Sequence, residues 1–108
     1  MFKAKRIQNF TNRVQRIYGK KFSYIERVLN SCVTLDQLGS AACWASKVMT
    51  QYEAYEKRRL NQLRNLFIRL DFYDVVDKYF DLKQQIINLI FERKVKEIEG
   101  VDPEEMEE

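Results

Sequence analysis

The sequence predicts an all-α fold, and three observations carry that prediction. Apolar residues recur every three or four positions along most of the chain. Helix-start signatures of the S/T-x-x-E/Q type stand at Ser23 to Glu26 and at Thr34 to Gln37, each ahead of an apolar-periodic run. Only three glycines and one proline occur in 108 residues, too few turn formers for an all-β chain.

The elements follow in order. Ile7, Phe10, Val14 and Ile17 form an amphipathic stripe, which predicts a first helix over Phe2 to Tyr18 that stops at Gly19, a residue free to enter the left-handed region. Ser23 and Glu26 then open a short second helix reaching about Asn30. The box at Thr34 opens a third helix at Leu35, with Asp36 near its positive end. From there a three-four seam runs through Leu35, Leu38, Ala42, Ala45, Met49, Tyr52, Glu56, Arg59, Leu63, Leu66 and Leu70. Unbroken, residues 35 to 70 span about 54 Å, against a radius of gyration of about 13 Å for a compact domain of this size. Such a rod protrudes, bends or is shared with another subunit. The expected architecture is therefore a helical hairpin or bundle with one long central helix, about 35 to 70, that self-associates. A fourth helix is expected from Asp71 to about Glu99, ended by Gly100 and Pro103. Residues 1 to 100 form a single helical domain on this reading, and residues 101 to 108 form an acidic solvated tail.

Charge is divided along the chain. Residues 1 to 69 hold 14 Lys and Arg against 4 Asp and Glu, a net +10, whereas residues 70 to 108 hold 5 against 12, a net −7. Seven basic residues precede Glu26, the first acidic one. With two cysteines and no histidine, the usual parts of Cys/His metal sites, Ser-His or Cys-His nucleophiles and imidazole acid-base chemistry are missing. The expectation is a non-enzymatic protein without cofactor or metal. No apolar run reaches the length of a membrane span and the N-terminus lacks a signal-type apolar core, so a cytoplasmic setting with Cys32 and Cys43 as thiols is expected.

Three stretches are candidates for anion binding. Lys20 and Lys21, in the aromatic run Tyr18 to Tyr24, would hold phosphate where a loop meets a helix N-terminus; alternatively Phe22 is a hydrophobic staple and the lysines are simply solvated. On the third helix, Arg58 and Arg59 would hold phosphates while Tyr55 stacks, unless Arg59 pairs with Glu56 across a seam to fix register. On the first helix, Arg6, Arg13, Arg16 and Lys20 form a cationic stripe, begun by Lys3 and Lys5, that tracks a nucleic-acid backbone or matches the acidic face of the fourth helix. Assembly is assigned to Leu35, Leu38, Trp44, Met49, Tyr52, Leu63, Leu66 and Leu70, with small Ala41, Ala42 and Ala45 letting a second helix approach.

The segment Ser31-Cys32-Val33-Thr34-Leu35-Asp36-Gln37-Leu38, with Ala42 and Trp44 beyond it, resembles a recurrent opening in small helical bacteriophage proteins. The run Ala41 to Lys47 is similar to a helix in phage proteins that sequester cyclic oligonucleotide signals, which are oligomeric all-helical sponges. The resemblance implies an accessory, anti-defence protein acting in the host cytoplasm. Combined with the charge pattern, it gives an expected function: an oligomeric helical phage-type protein that binds an anionic partner, foremost nucleic acid, through its basic N-terminal part. The alternatives are a cyclic-oligonucleotide sponge, or an inhibitor or structural subunit that binds a host or phage protein.

Overall fold

The computed structural model describes residues 2 to 100, with the side chain of Phe2 excepted, and the acidic tail expected over 101 to 108 lies outside the described residues. It is an all-α bundle of three helices: α1 (Phe2–Ser31), α2 (Leu35–Leu60) and α3 (Leu66–Glu99). The short links at 32–34 and 61–65 reverse the chain twice. α1 and α3 therefore run parallel and α2 runs against both, with Phe10 stacked on Phe72 (4.1 Å, 8°) near one end and Arg93 bonded to Asn30 (2.6 Å) near the other. α3 packs against both other helices, while α1 and α2 meet each other least. The bundle measures 52 × 26 × 19 Å, its long dimension matching the roughly 51 Å expected of a 34-residue helix.

The expected first and second helices are one. α1 runs through Gly19 without a break, and Ser23 and Glu26 sit in its interior rather than at a cap. The reason is the core: Phe10, Val14, Tyr18, Phe22, Ile25 and Leu29 are all buried, and their spacing of four, four, four, three and four keeps one stripe facing the bundle through the glycine. Burying that stripe outweighs the roughly 1 kcal/mol that a helical glycine loses relative to alanine. The loop proposed around Tyr18 to Tyr24 is thus absent, its free amides are helix hydrogen bonds, and Phe22 is a core residue rather than a staple. A Cβ added at Gly19 would meet nothing within 4 Å. Gly19→Ala is therefore expected to raise stability in urea unfolding by about 0.5–1 kcal/mol; a loss would mean that Gly19 ends a helix after all.

The long rod expected over 35–70 is divided. α2 ends at Leu60, and its final carbonyls accept from the turn: Asn61 N–H bonds Lys57 O (3.0 Å), Gln62 N–H bonds Arg59 O (3.2 Å) and Leu63 N–H bonds Leu60 O (3.0 Å). Asn65 then caps α3, its side-chain oxygen accepting from the amides of Phe67 (3.0 Å) and Ile68 (3.2 Å). The three-four seam survives the reversal because Leu63 still packs, half-buried, on the core from within the turn. Each helix of the bundle is covered by the other two, so the length of residues 35–70 no longer demands a second subunit.

The other ends follow the sequence closely. Thr34 caps α2 by accepting from Gln37 N–H (3.1 Å), and Gln37 reaches back to the Val33 amide (2.9 Å), one residue before the expected one. Gly100 ends α3 in the left-handed conformation (φ 70°, ψ 21°). Lys94 donates to the Asn30 carbonyl (3.1 Å), placing a cation at the negative end of α1. Cys32 and Cys43 are free thiols, and no described helix is long and apolar enough to cross a membrane.

Candidate anion-binding groove

Where α1 and α2 diverge, on the side away from α3, two adjoining concavities make one groove. The first, about 730 Å³, is lined by Ile17, Tyr18 and Lys21 of α1 and by Gln51, Tyr52, Tyr55, Glu56, Arg58 and Arg59 of α2. The second, about 430 Å³, shares Lys21 and Tyr52 with it and adds Lys20, Tyr24, Ile25, Trp44 and Val48. Helical spacing explains the convergence. Continuity of α1 through Gly19 puts Ile17, Lys20, Lys21 and Tyr24 on one face at steps of three and four, and Tyr52, Tyr55 and Arg59 do the same on α2.

The floor is a buried polar pair. Tyr18 donates its hydroxyl hydrogen to Glu56 Oε1 (2.7 Å), and Glu56 is only 1% exposed. Arg59 Nη1 lies 3.7 Å from the same oxygen, one helical turn on, an ion pair without a hydrogen bond. The second carboxylate oxygen, Oε2, has no hydrogen-bond partner. Burial, then the bond to Glu56 and its negative charge, push the Tyr18 hydroxyl above the ordinary tyrosine range, so it stays a donor at neutral pH. A small neighbouring concavity of about 120 Å³ is lined by Arg13, Glu56 and Arg59 together with Phe10, Leu60, Leu63 and Phe72.

The structure thus brings together Lys21, Tyr55, Arg58 and Arg59, sets Lys20 in the adjoining concavity and Arg13 in the small neighbouring one, and leaves Arg6 and Arg16 exposed on α1 outside all three. Arg59 pairs with Glu56 within α2 rather than across a seam between helices, and it also lines the groove. The acidic face of α3 does not neutralise the α1 stripe. Among the described residues Lys3 alone on α1 reaches an α3 carboxylate, Asp71 at 3.7 Å, and Arg6, Arg13, Arg16, Lys20, Lys21 and Arg58 form no ion pair. On α2, Lys57 is committed to Asp77 (2.6 Å) and Glu53 (3.3 Å), and the bond to Asp77 holds its ammonium above the ordinary lysine range. The concavity on that other side, about 500 Å³ between α2 and α3, is lined by the carboxylates of Glu53, Asp77 and Asp81 against the one lysine Lys78, a poor place for phosphate.

Residues assigned to assembly separate into two sets. Leu38 and Met49 are buried in the core of the single chain, with Tyr52 and Leu63 packed against it. Leu35, Leu66 and Leu70 are exposed, as is Trp44, which meets Tyr24 edge to face (6.0 Å, 85°). The sequence places Tyr18 and Tyr24 in the aromatic run of one anion candidate and assigns Tyr52 to assembly, but it does not join them in a groove shared by α1 and α2, because the predicted stop at Gly19 hides the phase relation between Tyr18, Lys21 and Tyr24.

Fold and groove together define a small three-helix protein with a cationic, aromatic cleft on one side and an acidic face on the other. Comparison with family models, curated proteins and solved structures finds no significant match for the chain.

Proposed function

We propose that this chain is a non-enzymatic binding protein that holds the phosphate backbone of nucleic acid in the groove between α1 and α2. One observation carries the reading: Lys21, Arg58 and Arg59, from two helices, converge with Tyr55 on one cleft. Among the described residues Lys21 and Arg58 form no ion pair, since the carboxylates of α3 pair with Lys3, Lys57, Lys78, Arg93 and Lys94 instead, and Arg59 meets Glu56 only at 3.7 Å without a hydrogen bond. A phosphate chain laid there releases counterions without requiring base-specific contacts. The groove joins two adjoining concavities that share Lys21 and Tyr52, an elongated shape that favours a polymer over a cyclic oligonucleotide. The proposed setting is the one its 31–50 segment resembles, a bacteriophage accessory protein acting in host cytoplasm. Nothing in the fold requires a second copy; the exposed Leu66 and Leu70 are where self-association would be sought.

A salt titration of oligonucleotide binding tests the proposal. With about four cations engaged (Lys20, Lys21, Arg58 and Arg59), log K is expected to fall against log salt with a slope of about −3. Arg58→Ala, at an exposed position, should reduce that slope by about one while leaving helical content unchanged. A flat salt dependence, or no binding at low salt, would remove the proposal.

A further inference from the structure

We infer that the groove takes single-stranded nucleic acid, with bases stacking on a row of half-exposed aromatic rings that includes Trp44 and Tyr24. This rests on the groove being a nucleic-acid site and goes beyond it, since phosphate contacts alone serve duplex and single strand alike. Tyr55 is 52% exposed, Tyr24 54% and Trp44 36%. All three line the same cleft as Lys20, Lys21, Arg58 and Arg59, so ring faces and cations alternate along it. Lys21 lies over the Tyr52 ring (5.0 Å to the centroid) and Arg27 over Tyr24 (6.0 Å). Lys21 is thereby placed beside a ring inside the cleft, as a nucleotide needs its phosphate and base contacts side by side.

Geometry decides between the two forms of nucleic acid. In a duplex the base faces are stacked on one another, so exposed rings gain nothing from it, whereas every unpaired base offers a π-face worth a substantial stacking energy. Shape agrees: a duplex admits a convex helix into its major groove, but these rings line a concave cleft between two helices. From Trp44 to Arg59 the cleft extends about 22 Å along α2, room for a short run of nucleotides. The competing occupant is a duplex read by the convex stripe of Arg6, Arg13 and Arg16 on α1, which would leave the aromatic row untouched.

Trp44 is the only tryptophan, so its emission reports directly on the cleft. The full chain would be titrated at low salt with thymidine and uridine homopolymers of about 15 nucleotides and with a hairpin duplex of matched phosphate number, following strand anisotropy and Trp44 fluorescence together. Single strands are expected to bind at least about tenfold more tightly than the duplex and to quench Trp44; a preference between thymidine and uridine identifies DNA or RNA as the source. Tyr55→Ala should weaken single-strand binding about tenfold with an unchanged salt slope, and Tyr55→Phe should restore it. Equal or tighter duplex binding, or single-strand binding that leaves Trp44 emission unaltered, overturns the inference while the phosphate groove stands. Absence of binding by every probe at low salt overturns both.

Discussion

Phe22→Ala is expected to destabilise the chain by about 3–5 kcal/mol, the largest effect of any single truncation proposed for this fold. Phe22 is 1% exposed and lies in the interior of α1. Its ring packs edge-on to Phe80 (5.7 Å, 71°), tilted against Tyr79 (5.7 Å), and within 6.4 Å of Tyr18. The ammonium of Lys83 lies over its face (5.7 Å). Truncation leaves a cavity at the centre of the α1–α3 contact that fixed helices cannot close. Were α1 broken at Gly19, with Phe22 a staple on a surface turn, the loss would be far smaller. Chemical denaturation with an unchanged m-value checks it, and a loss below about 1 kcal/mol would contradict the continuous helix.

Tyr18→Phe should cost about 1.5–3 kcal/mol, because it removes the one hydrogen bond made by a buried carboxylate. The ring keeps its contacts with Tyr52 (5.4 Å) and Phe80 (5.3 Å), so the measured difference isolates the hydroxyl. Glu56 would be left with Arg59 at 3.7 Å and both oxygens without hydrogen bonds. Replacing the pair together, Tyr18→Phe with Glu56→Leu, is expected to recover most of the loss, since apolar substitution of a whole buried polar pair is often neutral or better. A double variant as unstable as the single one would mean that Glu56 is held by something other than Tyr18. The pH dependence has a definite sign. The Tyr18 hydroxyl titrates higher in the folded chain than the ordinary value of about 10, so the native state keeps its proton after the unfolded state has lost it. Its contribution is complete below about pH 10 and declines as the pH rises towards the folded value. Tyr18→Phe lacks that part of the alkaline decline, leaving the part due to Tyr79, whose hydroxyl burial also raises.

Helix content, the Thr34 cap and the Gly100 stop were legible in the sequence because each depends on local chemistry: an apolar period, a side-chain acceptor, a residue free to take positive φ. Both misplaced boundaries arose where tertiary burial opposed a local signal. Gly19 and the Ser23 box predict a break, yet one stripe from Phe10 to Leu29 is buried only if α1 is whole. At residues 61–65 the reverse occurs. The seam continues in register, there is no Gly or Pro to warn of a turn, and the sole local sign is Asn65, whose capping role is weak evidence until α3 is seen to fold back. The groove was half legible. Arg58, Arg59 and Tyr55 share a short stretch of sequence, but their meeting with Lys21, 34 to 38 positions earlier in the chain, follows from the antiparallel α1–α2 pairing, which no spacing within one helix encodes. Glu56 was read as a register-setting seam residue, and it does sit in the seam; that it is fully enclosed and bonded to Tyr18 required the packed bundle.

The central claim is that the cleft between α1 and α2, and no other face, is where an anionic polymer binds. Amide chemical-shift mapping of the isotope-labelled full chain at low salt, titrated with a thymidine oligomer, tests this most directly. Perturbations are expected to concentrate at residues 13–24 of α1 and 44–59 of α2, leaving Asp74, Lys78 and Asp81 on α3 unmoved. Shifts gathered on α3, or a spectrum that saturating oligomer leaves unaltered, would contradict it.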